Sequence, residues 1–252
     1  MSPQAALAIF AAGLVAGTVN VIVGSGSLVT FPTLLALGYP PVLANVSNTV
    51  GLVPGSVSAT VAYRRELTGQ GRRLAQLGPA SVVGGLVGAL LLLALPHSVF
   101  KEVVPGLIGL AVVLMALQPT VRAGLDTRGP RRVHGGVVLL VGVFLTGVYG
   151  GYFGAAQGVI LIALLAVFID DDLQRLNGTK NALALTVNAV SGLFFVATTH
   201  IAWTVAGLIA AGSVLGGQVG GRYGRRIPGP VLRWVIVTVG LGVAVGLAVE
   251  WH

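Results

Sequence analysis

The residues that could do chemistry in this 252-residue chain fall into two matched sets. The first is Asn20, the turn Gly24-Ser25-Gly26-Ser27 and the run Asn45-Val46-Ser47-Asn48. The second is Gly147-Val148-Tyr149-Gly150, then Gly151, Gly154-Ala155-Ala156-Gln157, Asn177-Gly178-Thr179-Lys180-Asn181 and Asn188. These are amides, hydroxyls, glycines and a single cation. Such groups can hold a small oxyanion through neutral donors. With no fixed divalent charge on the site, release is as feasible as capture. Acid–base or metal chemistry has no comparable basis. The acidic residues are Glu66, Glu102, Asp126, Asp170, Asp171, Asp172 and Glu250, and none lies in the middle of an apolar run. That argues against an intramembrane carboxylate relay. His97, His134, His200 and His252 sit at segment ends and read as loop residues. There is no cysteine, no G-x-x-x-x-G-K-[ST] loop and no H-E-x-x-H motif. No catalytic residue, metal, cofactor or nucleic-acid partner is expected.

The elements that must position these groups are membrane helices. Charged residues are 9% of the chain against ~25% in soluble domains, and hydrophobic residues are 55%. Mean hydropathy is +0.92. Ten apolar segments are expected, at 5–23, 25–38, 42–63, 74–95, 100–118, 134–153, 155–169, 175–199, 201–221 and 230–250. The second and seventh are too short for a comfortable pass of a ~30 Å hydrocarbon core. They pair with their predecessors as broken hairpins. Met1-Ser2-Pro3-Gln4 lacks a basic region, so the first segment reads as retained rather than as a cleaved signal.

Arg64, Arg65, Arg72 and Arg73 occupy one short loop. Arg122, Arg128, Arg131 and Arg132 occupy another, and Arg222, Arg225 and Arg226 a third. These loops should face the cytoplasm of a cell (inner or plasma) membrane, with contacts to lipid headgroups. The Asp170-Asp171-Asp172 loop then lies on the same side, and 5–38 and 134–169 each enter and leave by one face. A competing reading with eight spans fuses each short pair into one pass and places Arg222, Arg225 and Arg226 outside. Trp203, Trp234 and Trp251 read as interfacial anchors.

The halves resemble one another. Asn20 to Ser27 lies 130 residues before Gly150 to Gln157, and Asn45 to Asn48 lies 132 before Asn177 to Lys180. Five segments per half make the second half inverted relative to the first. The expected fold is an all-α integral membrane protein of two inverted five-segment repeats, 1–118 and 133–252, each starting with a broken helical hairpin. Residues 119–132 form a cytoplasmic linker. Broken helices at matching positions of inverted repeats point to a midplane transport site. Gly24, Gly26, Gly150, Gly151 and Gly154 allow the bends, and helices restarting after them would turn free N–H groups toward the break. Ser25, Ser27, Asn45, Ser47, Asn48, Gln157, Asn177, Thr179, Lys180 and Asn181 are the expected lining, followed by Asn20 and Asn188. Packing between helices is the plainer role for such residues, and Lys180 could pair with Asp172 or cap a helix end.

The run GLVAGTVNVIVGSGSLVTFPTLLALGYPPVLANVSNTVGLVPGSVSATVAYRREL (13–67) resembles the N-terminal motif of the sulfite exporter TauE/SafE family: a Gly-rich turn, Pro-x-Leu-Leu-x-x-Gly, an Asn pair and a Tyr-Arg-Arg end. The run from Gly147 to Phe195 is similar to the family's second motif. Two departures stand out: Gly24-Ser25-Gly26-Ser27 replaces four glycines, and Asn45-Val46-Ser47-Asn48 stands where many members have Thr-Asn. The resemblance implies a carrier, most simply an exporter, of small sulfur-containing or organic anions such as sulfite or sulfonates. A channel and an intramembrane lipid-modifying enzyme are the alternatives, and homo-oligomerisation is left open.

Overall fold

A computed structural model of the chain describes residues 1–125 and 136–223. Its helices are α1 (Pro3–Ile22), α2 (Ser27–Ala36), α3 (Pro41–Ala62), α4 (Gly71–Ala94), α5 (His97–Leu125), α6 (Val137–Tyr152), α7 (Gln157–Phe168), α8 (Leu173–Thr198) and α9 (Trp203–Tyr223), with no strand among the described residues. They follow the first nine expected segments in order. The segment 230–250, Trp234, Trp251, Arg225, Arg226 and residues 126–132 lie outside the described residues. Helix α5 runs past residue 118 to Leu125, so the first part of the 119–132 stretch is helical.

Local chemistry sets the ends. Ser2 Oγ accepts the N–H of Ala5 at 3.2 Å ahead of Pro3, a capped start with proline at the first position. Asp172 caps α8 through the N–H groups of Gln174 at 2.8 Å and Arg175 at 3.4 Å. Helices α1 and α6 stop by the same device. The N–H groups of Val23 and Gly24 both reach Val19 O, at 2.8 and 3.2 Å, and those of Phe153 and Gly154 both reach Tyr149 O, at 2.9 and 3.1 Å. Gly24 has φ +90° and Gly154 φ +77°, the left-handed turn that glycine adopts without steric cost.

Helices α1, α4, α8 and α9 are long and apolar enough to cross a bilayer. Helix α2 has 10 residues and α7 has 12, so at 1.5 Å per residue they reach ~15–18 Å, about half of a hydrocarbon core. Tyr39 Oη lies 3.9 Å from Met1 Sδ, which brings the end of the first hairpin back to its beginning. Arg73 Nη1 meets Asp171 Oδ2 at 2.9 Å. The loops before α4 and before α8 therefore share one end of the bundle. In the eight-span reading the loop before α4 follows two passes and the loop before α8 follows five, which puts them at opposite ends. The ion pair places the two loops at one end of the bundle, as the ten-segment reading expects.

Packing between helices repeats across the halves. Helix α1 packs along α9 as α6 packs along α4, α3 packs on α9 as α8 packs on α4, and α3 crosses α8. A sequence signal behind this pairing escaped the motif reading above: Ser81-Val82-Val83-Gly84-Gly85-Leu86-Val87-Gly88 recurs 132 residues later as Ser213-Val214-Leu215-Gly216-Gly217-Gln218-Val219-Gly220. Its glycines are the contact points. A Cβ at Gly84 or Gly88 would collide with the carbonyl of Phe144 or Val148, and one at Gly216 or Gly220 with that of Leu14 or Thr18. Small residues let membrane helices approach backbone to backbone. Large aliphatic side chains such as Leu7, Leu145 and Leu193 remain outside, 58–72% exposed, as expected of surfaces that face lipid.

Candidate functional site

The two breaks touch. Gly158 N–H donates to Gly24 O at 3.0 Å, and a Cβ on Gly24 would sit 2.5 Å from the Cα of Gly158. The turn after α1 and the start of α7 are thus in backbone contact. Three groups of side chains surround this junction.

The first group holds the end of α1. Lys180 Nζ donates to Asn20 O and Val21 O, both at 3.2 Å. Asn177 and Asn181 also donate to Val21 O, each at 3.4 Å, and Asn177 donates to Tyr63 Oη at 2.9 Å. The last carbonyls of a helix lack intrahelical partners, and lipid offers none. Lys180 therefore caps a helix end. It does not pair with Asp172, whose carboxylate caps α8. Asn20 Oδ1 accepts Gly26 N–H at 3.4 Å, across the turn.

The second group holds the end of α6. Asn45 Nδ2 donates to Tyr152 O at 2.9 Å. Gln157 Nε2 donates to Asn188 Oδ1 at 2.9 Å, and Asn188 Nδ2 to Ser56 Oγ at 3.1 Å. Gly150 leaves room for this arrangement, because a Cβ would fall on Gln157 Oε1 and displace that side chain. The two groups are counterparts: Asn45 and Asn177 lie 132 residues apart, and each reaches from one half to the last turn of the broken helix of the other.

The third group ties α2 to α3. Asn48 donates to Ser27 Oγ at 3.3 Å and accepts from Thr30 Oγ1 at 2.5 Å. Three buried atoms around the junction have no protein partner: Ser25 Oγ, Asn45 Oδ1 and Gln157 Oε1.

Some expected site residues work elsewhere. Ser47 Oγ accepts Ala202 N–H at 3.0 Å in the α8–α9 connection. Thr179 Oγ1 donates to Gln70 Oε1 at 2.6 Å in the α3–α4 connection. These are again equivalent pairs, 47 with 179 and 70 with 202, and they pin connecting loops. Gly151 packs against Gly85 O of α4, and Gly26 against Ala16 O of α1. Of the N–H groups expected to be free after the bends, those of Gly26 and Gly158 are already bonded.

The sequence reading missed the polar network at the basic end. Gln70 Nε2 donates to Glu66 O at 2.8 Å and Arg175 O at 2.9 Å, and Gln70 Oε1 also accepts from Arg73. Arg175 Nε meets Asp171 Oδ1 at 2.9 Å. Burial alone would raise the Asp171 carboxyl, but the hydrogen bonds from Arg73 and Asp172 N–H, with the charges of Arg73 and Arg175, hold it below the usual carboxylate range. The opposite charges of the 64–73 and 170–175 stretches were its sequence signal. Among the described residues no group of three or more His, Asp or Glu comes together to hold a metal.

Half-length broken helices, long apolar helices and buried polar groups at the breaks define a helical multi-pass membrane protein with the build of a transporter. The comparisons with known proteins agree and go further. The family model for the sulfite exporter TauE/SafE matches residues 9–247, and the chain belongs to that family, whose members are membrane transporters and not enzymes. It is 30% identical over 214 residues to a probable membrane transporter protein of Haemophilus influenzae, covering 85% of this chain and 83% of that one. It is 28% identical to the probable membrane transporter protein ORF9 of a Sinorhizobium species, covering 96% and 92%. It is 27% identical to the probable membrane transporter protein YfcA of Escherichia coli K12, covering 100% and 93%. No solved structure matches.

Proposed function

We propose that this protein is a secondary carrier that exports a small sulfur-containing or organic anion, of the kind of sulfite or a sulfonate. The observation that carries the reading is the backbone contact of Gly24 with Gly158, flanked by buried side-chain atoms of Ser25, Asn45 and Gln157 without protein partners. Polar groups without partners at membrane depth are costly, and a ligand that passes through would satisfy them. The family description, sulfite exporter, supports the substrate class.

The mechanism is alternating access. Residues 1–118 and 133–252 are inverted repeats joined by 119–132, and the equivalent contacts of α1–α9 and α6–α4 support this. Rocking one half on the other exposes the junction first to one face and then to the other. Ser25, Ser27, Asn45, Asn48, Gln157 and Asn188 are the residues nearest the anion. Lys180, Asn177 and Asn181 keep the end of α1 in place and bring a cation to its last turn. The basic end faces the cytoplasm of the cell membrane, where it gathers anions. An inside-negative potential then drives their exit, at ~2.3 kcal/mol per charge per 100 mV.

Counterflow in proteoliposomes tests this. Sulfite, sulfate, sulfoacetate and taurine are compared with neutral solutes under imposed potentials. Saturable flux of an anion, stimulated by the same anion on the far side, is expected. Flux without saturation would mean a channel, and equal flux of anions and neutral solutes would end the anion reading.

A further inference from the structure

The hydrogen bonds around the second break have a direction that the side-chain chemistry fixes. Ser56 Oγ donates its single proton to Leu52 O at 3.0 Å. Toward Asn188 it can therefore only accept, so Asn188 turns its Nδ2 to Ser56 and its Oδ1 to Gln157. Gln157 must then donate through Nε2, which leaves its Oε1 beside Gly150 of α6 and without a donor. Asn45 is fixed in the same way. Its Nδ2 is spent on Tyr152 O, since turning the amide over would set two carbonyl oxygens against each other. Both residues are buried, Asn45 to 1% exposure and Gln157 to 4%. Each therefore presents an unpartnered carbonyl oxygen at the break between α6 and α7, where neither amide can rotate without losing the bond it makes.

Two fixed acceptors are the wrong lining for an anion that can only accept. Oxygen lone pairs facing an oxyanion repel it, and they lose nothing only if a proton lies between. The first break has the opposite character. Ser25 Oγ is a buried, unpartnered hydroxyl free to donate, and Lys180 places its Nζ on the last turn of α1. The junction thus joins a donating half and an accepting half.

We propose, building on the anion-carrier reading above, that the transported anion must itself carry a hydrogen-bond donor, and that Asn45 Oδ1 and Gln157 Oε1 receive it. Singly protonated oxyanions and hydroxy- or ammonio-substituted sulfonates have this form; dianions and plain alkyl sulfonates do not. Ser25 donates to the charged oxygens from the other side.

A pair of probes with equal charge and equal heavy-atom count decides the matter. 2-Hydroxyethanesulfonate carries a hydroxyl where propane-1-sulfonate carries a methyl, and neither releases sulfite. Each is titrated as an inhibitor of labelled-sulfite counterflow in proteoliposomes of the full chain. The hydroxyl-bearing anion should be the more potent by about tenfold or more, because its analogue leaves buried acceptors unpaired. In Gln157→Met, which removes one acceptor, the ratio should fall toward one. Equal potency of the two probes in the wild type, or no inhibition by either, overturns the proposal and leaves the anion carrier standing. A ratio unchanged in Gln157→Met also overturns it, by taking the acceptor role away from Gln157. Absence of sulfite counterflow removes the carrier reading beneath it and the proposal with it. The wild-type comparison decides whether or not the variant folds.

Discussion

Gly24 and Gly158, 134 positions apart in the chain, share a hydrogen bond of 3.0 Å from the N–H of one to the carbonyl of the other. Each stands where a Cβ would enter the opposite backbone, 2.5 Å from its Cα. Gly24 in addition holds φ +90°. Gly24→Ala should therefore cost about 3 kcal/mol or more from overpacking and left-handed strain combined. Gly38 is the control: it has φ +83° with nothing within 4 Å of an added Cβ, so Gly38→Ala should cost only about 1–2 kcal/mol. Thermal unfolding of the two purified variants in one detergent checks the order. Equal losses would show that the junction is not tightly packed.

Val21 O accepts from Asn177, Lys180 and Asn181, whereas for Tyr152 O the bond from Asn45 is the side-chain contact observed. Redundancy should show in the energetics. Asn181→Ala should lower stability by about 1 kcal/mol or less, and Asn45→Ala by about 1–3 kcal/mol, the cost of a buried carbonyl left unpaired. The double variant Asn177→Ala/Asn181→Ala should lose more than the sum of its singles. A double-mutant cycle on unfolding midpoints measures this.

At the basic end, Asp171 bridges Arg73 and Arg175. Asp171→Asn should destabilise by about 1–3 kcal/mol, because Arg73, 9% exposed in its side chain, loses a charged partner. The sign with pH follows from the lowered carboxyl. A group whose folded pKa is depressed contributes stability at neutral pH and loses it as pH falls through the folded value. The wild type should therefore lose stability on acidification more steeply than Asp171→Asn. Parallel unfolding curves against pH for the two proteins would contradict this.

The recurring S-V-x-G-G-x-V-G run makes a paired prediction. Gly88→Ala and Gly216→Ala each drive a Cβ into a facing carbonyl, of Val148 and Leu14 respectively, and should lower stability by similar amounts, about 1–3 kcal/mol. Gly207→Ala meets nothing within 4 Å and should be neutral or stabilising by up to ~1 kcal/mol, the helix propensity difference. Expression level and unfolding midpoint of the three variants provide the comparison.

Much of this fold was legible in the residues. The apolar runs gave the nine described helices in order, and the Gly24 and Gly154 turns gave both breaks. The matching of Asn45 with Asn177 led to the pair that closes both helix ends. What periodicity could not reveal was direction. Amides near a break read equally well as ligand donors or as caps, and the need of α1 and α6 to satisfy their terminal carbonyls took Asn45, Asn177 and Asn181. Ser47 and Thr179 illustrate the same ambiguity, since a hydroxyl within two residues of an asparagine in sequence turned out to face a loop. The Arg73–Asp171 pair was hidden for another reason. Its partners are 98 residues apart, and charge in loops reads first as a topology signal.

Ser56 and Asn188 lie 132 residues apart, at the same offset that relates Asn45 to Asn177, and they are bonded to one another at 3.1 Å. In the alternating-access cycle proposed above, a contact between corresponding positions keeps its place when the halves trade conformations. It would then serve as the fulcrum, and spectroscopic labels on the surfaces of α3 and α8 beside it should register almost no distance change while labels at the loop ends swing apart.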